Sequence, residues 1–140
     1  MPQEIRMRAQ IVEEMLRLAR SEPRVECCGL LAGVNGMITK IFPAKNALAS
    51  PTAYEVAPQE LFPLFRQMRE EGLEHLGIYH SHPDHPSRPS QTDTDRAWAD
   101  YSYVIISVQQ GTVASAQSWV LNESEKKFYE EPLLSEGDSK

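Results

Sequence analysis

The chain has 140 residues, 41% of them hydrophobic and 24% charged, which is the composition of one soluble globular domain able to bury a core without staples. Its net charge of −6, with basic residues scattered rather than striped, argues against a nucleic-acid partner, and no apolar run approaches the ~20 residues that a membrane span needs. The opening MPQEIRMRAQ lacks the apolar core of a secretion signal, so the expected compartment is the cytoplasm, where the adjacent Cys27 and Cys28 read as reduced thiols.

Taken in order, Glu4 to Met7 fits a short first strand. Ala9 to Arg20 is helical by its period, with Val12, Met15, Leu16 and Ala19 on one stripe and Glu13 and Glu14 opposite. Pro23 ends that region. Val25 to Gly33, VECCGLLAG, reads as a buried strand beginning near Glu26. Asn35-Gly36 is a two-residue hairpin signal, and Met37 to Pro43 is the returning strand. Ala44 to Ala57 is irregular, and within it Asn46 to Val56 is an extended segment suited to receiving a peptide by strand addition.

Pro58 to Glu71 is the second helix, with Pro58 at its first position, Leu61, Leu64, Phe65 and Met68 as its stripe, and Gly72 as its stop. Pro63 is expected to kink that helix or delay its start. Glu74 to His82 is a strand whose alternation puts Leu76, Ile78, His80 and His82 on one face, with Tyr79 and Ser81 packed beneath. Ser90 to Ala99 is a short third helix. Tyr101 to Val108 is a strand, and Thr112 to Leu121 with Lys126 to Tyr129 forms a hairpin around Asn122-Glu123-Ser124. Trp98 and Trp119 read as core anchors. Glu130 to Lys140 has no core pattern and is expected to be a flexible tail, which makes residues 1–129 the domain. This mixture predicts a single-domain α/β protein, a mixed β-sheet flanked by helices.

The chemistry concentrates in His80 to Asp93, HSHPDHPSRPSQTD. Histidines two apart on a strand point to one side, with Cβ atoms roughly 6–7 Å apart, so their imidazoles can converge on one ion. If Ser90 caps the third helix, Asp93 lies in its first turn and its carboxylate can reach the histidines. Two imidazoles and a carboxylate leave a fourth position for water, the pattern of a catalytic zinc. Ser90 and Asp93 also match S-x-x-D, an ordinary capping-box start. Three of the four histidines lie at positions 80, 82 and 85, and Pro83, Pro86 and Pro89 stiffen the loop between strand and helix. Asp84 and His85 are lower-ranked ligands because they sit on the loop. Cys28 reads as core, and Cys27 points to the opposite face, so the two cannot share one ion.

The run from His80 and His82 to Ser90 and Asp93 resembles the H-x-H-x7-S-x2-D signature of the JAMM/MPN-domain zinc metalloproteases, in their compact bacterial form, at every fixed position. Glu26-Cys27-Cys28-Gly29-Leu30-Leu31-Ala32-Gly33 resembles the early glutamate strand of the same family. The resemblance implies the MPN fold, a layered architecture related to that of cytidine deaminases. It implies one zinc per chain held by His80, His82 and Asp93, with Glu26 as general base and Ser90 as hydrogen-bond donor to the oxyanion. It also implies hydrolysis of a peptide or isopeptide bond after the Gly-Gly tail of a ubiquitin-like or sulfur-carrier protein. The alternative is a non-catalytic protein-binding module of the same fold, which typically lacks the ligand set. A zinc deaminase is rejected because H-x-E with P-C-x-x-C is absent.

Overall fold

One mixed sheet carries the chain, and the computed structural model describes residues 5–137 of it. Its elements are β1 (Ile5–Arg8), α1 (Ala9–Ser21), β2 (Cys28–Val34), β3 (Met37–Ala44), α2 (Pro58–Glu70), β4 (Glu74–Pro83), α3 (Gln91–Arg96), β5 (Ser102–Gln109), β6 (Thr112–Asn122), β7 (Lys127–Glu131) and β8 (Leu133–Glu136). The strands lie in the order β7-β6-β5-β4-β2-β3-β1-β8. β4 and β5 pair in parallel, as does β1 with both β3 and β8, and the remaining neighbours are antiparallel.

Each face has its own apolar cluster. Ile11, Met15 and Ala19 of α1 pack over Met7, Leu31, Ile38, Tyr79, Val104 and Ile106. On the opposite face Met68 of α2 joins Leu30, Phe42, Ile78 and Tyr103. The β2–β3 turn places Asn35 and Gly36 both at positive φ, 55° and 79°, as a type I′ hairpin requires.

The expected single-domain layer architecture is the one found, with four local differences. Pro63 lies inside α2, and the helix begins at Pro58, so the later start does not occur. Leu76 does not share a face with Ile78. The register shifts opposite Leu31 and Ala32, which pair with Gly77 and His75, so Leu76 is the extra residue of a bulge and packs toward α1. Trp98 is not a core anchor: it is 58% exposed. The segment expected to be a flexible tail from residue 130 is ordered through Glu136, because β1 offers an unpaired edge on which β8 aligns Ile5 with Leu133 and Arg8 with Glu136. Glu131 is buried there and accepts a bond from the Ser118 hydroxyl at 2.7 Å. Glu4, at the start of the expected first strand, and residues 138–140 of the expected tail lie outside the described residues.

Candidate metal centre

The C-terminal end of β4 carries His80 and His82 on the α2–α3 face, one residue apart from Tyr79 and Ser81, which point beneath. The chain then crosses to α3 over residues 84–90. Ser90 caps α3 with a reciprocal capping box. Its hydroxyl accepts from the Asp93 amide at 3.0 Å, and Asp93 Oδ2 accepts from the Ser90 amide at 2.9 Å. The capping role and the proximity to the histidines therefore coexist, because the cap turns the Asp93 carboxylate toward β4.

Glu26 arrives from more than fifty residues earlier in the chain. It precedes β2 rather than lying within it. Its amide donates to the Ser50 carbonyl at 2.8 Å, and its own carbonyl accepts from Asn46 Nδ2 at 2.9 Å. The following residue is tied to β4: the Cys27 amide donates to Ser81 Oγ at 2.8 Å and the Ser81 amide to the Cys27 carbonyl at 3.0 Å. These bonds hold the glutamate over the end of β4 and bury it.

Glu26, His80, His82 and Asp93 each present one ligand atom, and these atoms all lie within 4.8 Å of one another. His80 Nε2 is 3.1 Å from His82 Nε2 and 3.3 Å from Asp93 Oδ1, and His82 Nε2 is 3.1 Å from Asp93 Oδ2. His82 Nδ1 lies 2.8 Å from the Pro86 carbonyl, which can only accept, so Nδ1 carries the proton of the neutral ring. Nε2 then presents a lone pair to a carboxylate oxygen. Two acceptors at that distance require a cation between them, either a shared proton or a metal ion. The buried Glu26 Oε1 and His80 Nδ1 have no hydrogen-bond partner among the described residues. The donor set of imidazole nitrogens and carboxylates therefore fits a divalent metal ion.

The electrostatics follow from burial and mutual contact. Burial pushes the Glu26 carboxyl up to about 8, with His82 opposing and Asp93 reinforcing the shift. Burial pulls the His80 imidazole down, against the contact of its Nε2 with the Asp93 carboxylate. His82 is also lowered by burial, but Asp93, the Pro86 carbonyl and Glu26 outweigh that and leave it raised. Burial alone would raise Asp93, yet its contacts with both histidines and the bond from the Ser90 amide hold it well below the carboxylate range.

Asp84 and His85 stay outside the cluster and are exposed. Asp84 caps the β5–β6 turn, accepting from the Gln110 amide at 2.8 Å. Cys28 is buried core, and Cys27 is half-buried. Asn46 to Val56 is not a continuous free edge. Asn46 and Val56 bridge each other, and Asn46 Oδ1 accepts from the Leu48 and Glu55 amides, closing the segment on itself.

Several contributors escape sequence reading. The Tyr54 ring stacks on His80 with centroids 4.3 Å apart. Trp119 Nε1 donates to the Ser87 carbonyl at 3.0 Å, and Ser87 Oγ donates to Gln117 Oε1 at 2.7 Å, pinning the loop between β4 and α3 to β6. The sequence signal for this anchoring is the pair of polar residues Ser115 and Gln117, two apart on one side of β6.

Residues 8–122 match the family described as prokaryotic homologues of the JAB domain. Over 93 residues the chain is 39% identical to the desampylase of Haloferax volcanii, spanning 64% of this chain and 67% of that one. Over 106 residues it is 35% identical to the CysO-cysteine peptidase of Mycobacterium tuberculosis, 74% of this chain and 73% of the relative. The solution structure of a protein from Desulfitobacterium hafniense superposes with a TM-score of 0.84 at 30% identity, over 96% of this chain and 94% of that one.

Proposed function

The chain belongs to the family of prokaryotic homologues of the JAB domain, and from that premise we propose that it is a zinc-dependent peptidase acting on ubiquitin-like or sulfur-carrier proteins. It hydrolyses the peptide or isopeptide bond that follows the carrier's C-terminal Gly-Gly tail. Relatives named desampylase and CysO-cysteine peptidase support that substrate class. The observation that carries the reading is the convergence of two imidazole nitrogens and the Asp93 carboxylate beside a buried, unpartnered Glu26 oxygen.

His80, His82 and Asp93 hold one zinc ion. When bound, zinc supplies a Lewis acid that polarises the scissile carbonyl and makes water acidic enough to act as a nucleophile near neutral pH. Glu26 takes the proton from the attacking water and returns it to the leaving nitrogen. Its burial beside the ligand cluster raises the carboxyl in the metal-free chain above its ordinary range, and its place at the cluster lets one group serve as base and then acid. Ser90 Oγ accepts from the Asp93 amide, which leaves its hydroxyl proton free to donate to the oxyanion. The Pro86 carbonyl fixes the His82 tautomer that directs Nε2 inward. The free thiols of Cys27 and Cys28 suit a reducing compartment, and we place the protein in the cytoplasm.

A purely protein-binding role gives no reason to bury a carboxylate with an unsatisfied oxygen, which costs stability. The test is mass spectrometry of Gly-Gly-tailed carrier conjugates incubated with the zinc-loaded protein and with its Glu26→Gln variant. Wild-type protein releases free carrier with an intact tail, and Glu26→Gln keeps its zinc but loses turnover. Intact conjugates in the wild-type reaction would sink the enzymatic reading, and undiminished turnover by the variant would remove Glu26 from the proton-transfer role.

A further inference from the structure

Resting on the peptidase reading, we propose that Arg88 binds the free α-carboxylate of the leaving group, so that the cleft beside Glu26 is a subsite for a single amino acid attached to the carrier tail.

The chemistry decides which side of the site the leaving group occupies. When the C–N bond breaks, the water oxygen joins the acyl carbon and the water proton passes through Glu26 to the leaving nitrogen. The leaving group must therefore lie within reach of Glu26. Among the described residues, two cavities flank the centre. One, of about 290 Å³, reaches Asp93 and is walled largely by apolar groups, among them Tyr54, Val56, Leu61, Phe65 and Trp98. Glu26 does not line it. The other, of about 310 Å³, is lined by Glu26, Thr52, His82, His85, Arg88 and Ser90, together with two prolines. The carrier's acyl side belongs to the first and the leaving group to the second.

Arg88 is the one permanently charged cation lining this second cavity. Among the described residues its guanidinium makes no hydrogen bond or ion pair. Its planar fork matches a carboxylate in two parallel bonds. Its stem also starts from fixed backbone. Ser87, buried on one side, is bonded through both its hydroxyl and its carbonyl to β6, and Pro89 follows on the other. Two residues further on stands Ser90, beside the reacting carbonyl.

An amino acid leaving through its α-nitrogen carries its carboxylate on the adjacent carbon, close to Glu26 and within this cleft. A lysine leaving through its side-chain nitrogen brings a neutral methylene chain there instead, and its own carboxyl is tied up in a protein backbone. Arg88 thus favours the first class of conjugate over the second. The guanidinium takes no part in the proton transfer.

Two conjugates separate these alternatives, one carrying C-terminal alanine after the Gly-Gly tail and the other alaninamide. We expect zinc-loaded wild-type protein to cleave the acid with a kcat/KM roughly tenfold or more above the amide, as loss of a charge-assisted hydrogen bond implies. Arg88→Gln brings that ratio to about one, and Arg88→Lys restores part of it. Calorimetric titration of both conjugates into the Glu26→Gln protein gives the same order of affinities, abolished when Arg88→Gln is added. Equal handling of acid and amide by wild-type protein in both measurements would overturn the proposal, as would a ratio that survives Arg88→Gln. Failure of the peptidase reading looks different, with neither conjugate cleaved while the acid still binds more tightly.

Discussion

The two faces of the sheet do opposite things with burial. The α1 face is filled by Met7, Met15, Leu31, Ile38, Val104 and Ile106, all apolar and none more than 1% exposed. The other face buries Leu30, Phe42, Met68, Ile78 and Tyr103, then gives way at the end of β4 to His80, His82 and Glu26. The buried side-chain atoms without a partner among the described residues are Glu26 Oε1, His75 Nδ1 and His80 Nδ1. His75 lines the apolar cavity, and the other two belong to the acidic and imidazole cluster, so all three lie on the second face. One side of the sheet supplies stability through apolar burial. The other gives some up to hold polar groups ready for something that is not protein.

Metal removal separates the faces most sharply. Chelation or Asp93→Asn should take zinc content from about one per chain toward zero and abolish turnover. The thermal midpoint should fall as well, since an ion bound only by the folded state stabilises by about 2.7 kcal/mol at a hundredfold excess over Kd. A zinc-free protein with full turnover would refute this. Next in size is Met15→Ala on the α1 face, which should cost ~2–5 kcal/mol in denaturant unfolding while kcat/KM under native conditions stays at the wild-type value. A matching loss of kcat/KM would show that the faces are coupled. Ser90→Ala should cost ~1 kcal/mol for the lost cap and slow hydrolysis beyond what that loss explains. A stability change with an unaltered rate would leave Ser90 as a cap alone.

The smallest effect is in pH. Folding moves the Glu26 carboxyl from its ordinary 4.5 to about 8. Between these values the folded metal-free chain holds a proton that the unfolded chain releases, so this group makes stability fall as pH rises. Glu26→Gln should flatten that component of the unfolding free energy measured from pH 5 to 8. An unchanged slope would mean that Glu26 is solvated.

Much of the fold was legible because its signals are local. Asn35-Gly36 can hardly avoid a tight turn, Pro58 and Gly72 bracket α2, and the period of residues 9–20 admits only a helix. The strand boundaries in the second half also stand close to expectation. The misses are non-local. Leu133–Glu136 has no amphipathic pattern of its own and becomes a strand only because β1 lies beside it. The bulge at Leu76 depends on how β2 pairs. Trp98 is large and apolar, yet α3 ends at Arg96 and leaves it 58% exposed beside the apolar cavity.

By itself the sequence determined the local half of the centre. Histidines two apart on a strand share a face, and a serine three residues before an aspartate makes a cap that turns a carboxylate inward. Both follow from backbone periodicity. Only the tertiary structure decided that Glu26 stands over the same point, that Tyr54 covers His80, and that Trp119 and Ser87 hold the loop on which Arg88 is carried. Those arrangements depend on hydrogen bonds and packing between segments distant in the chain, and no spacing within one segment encodes them.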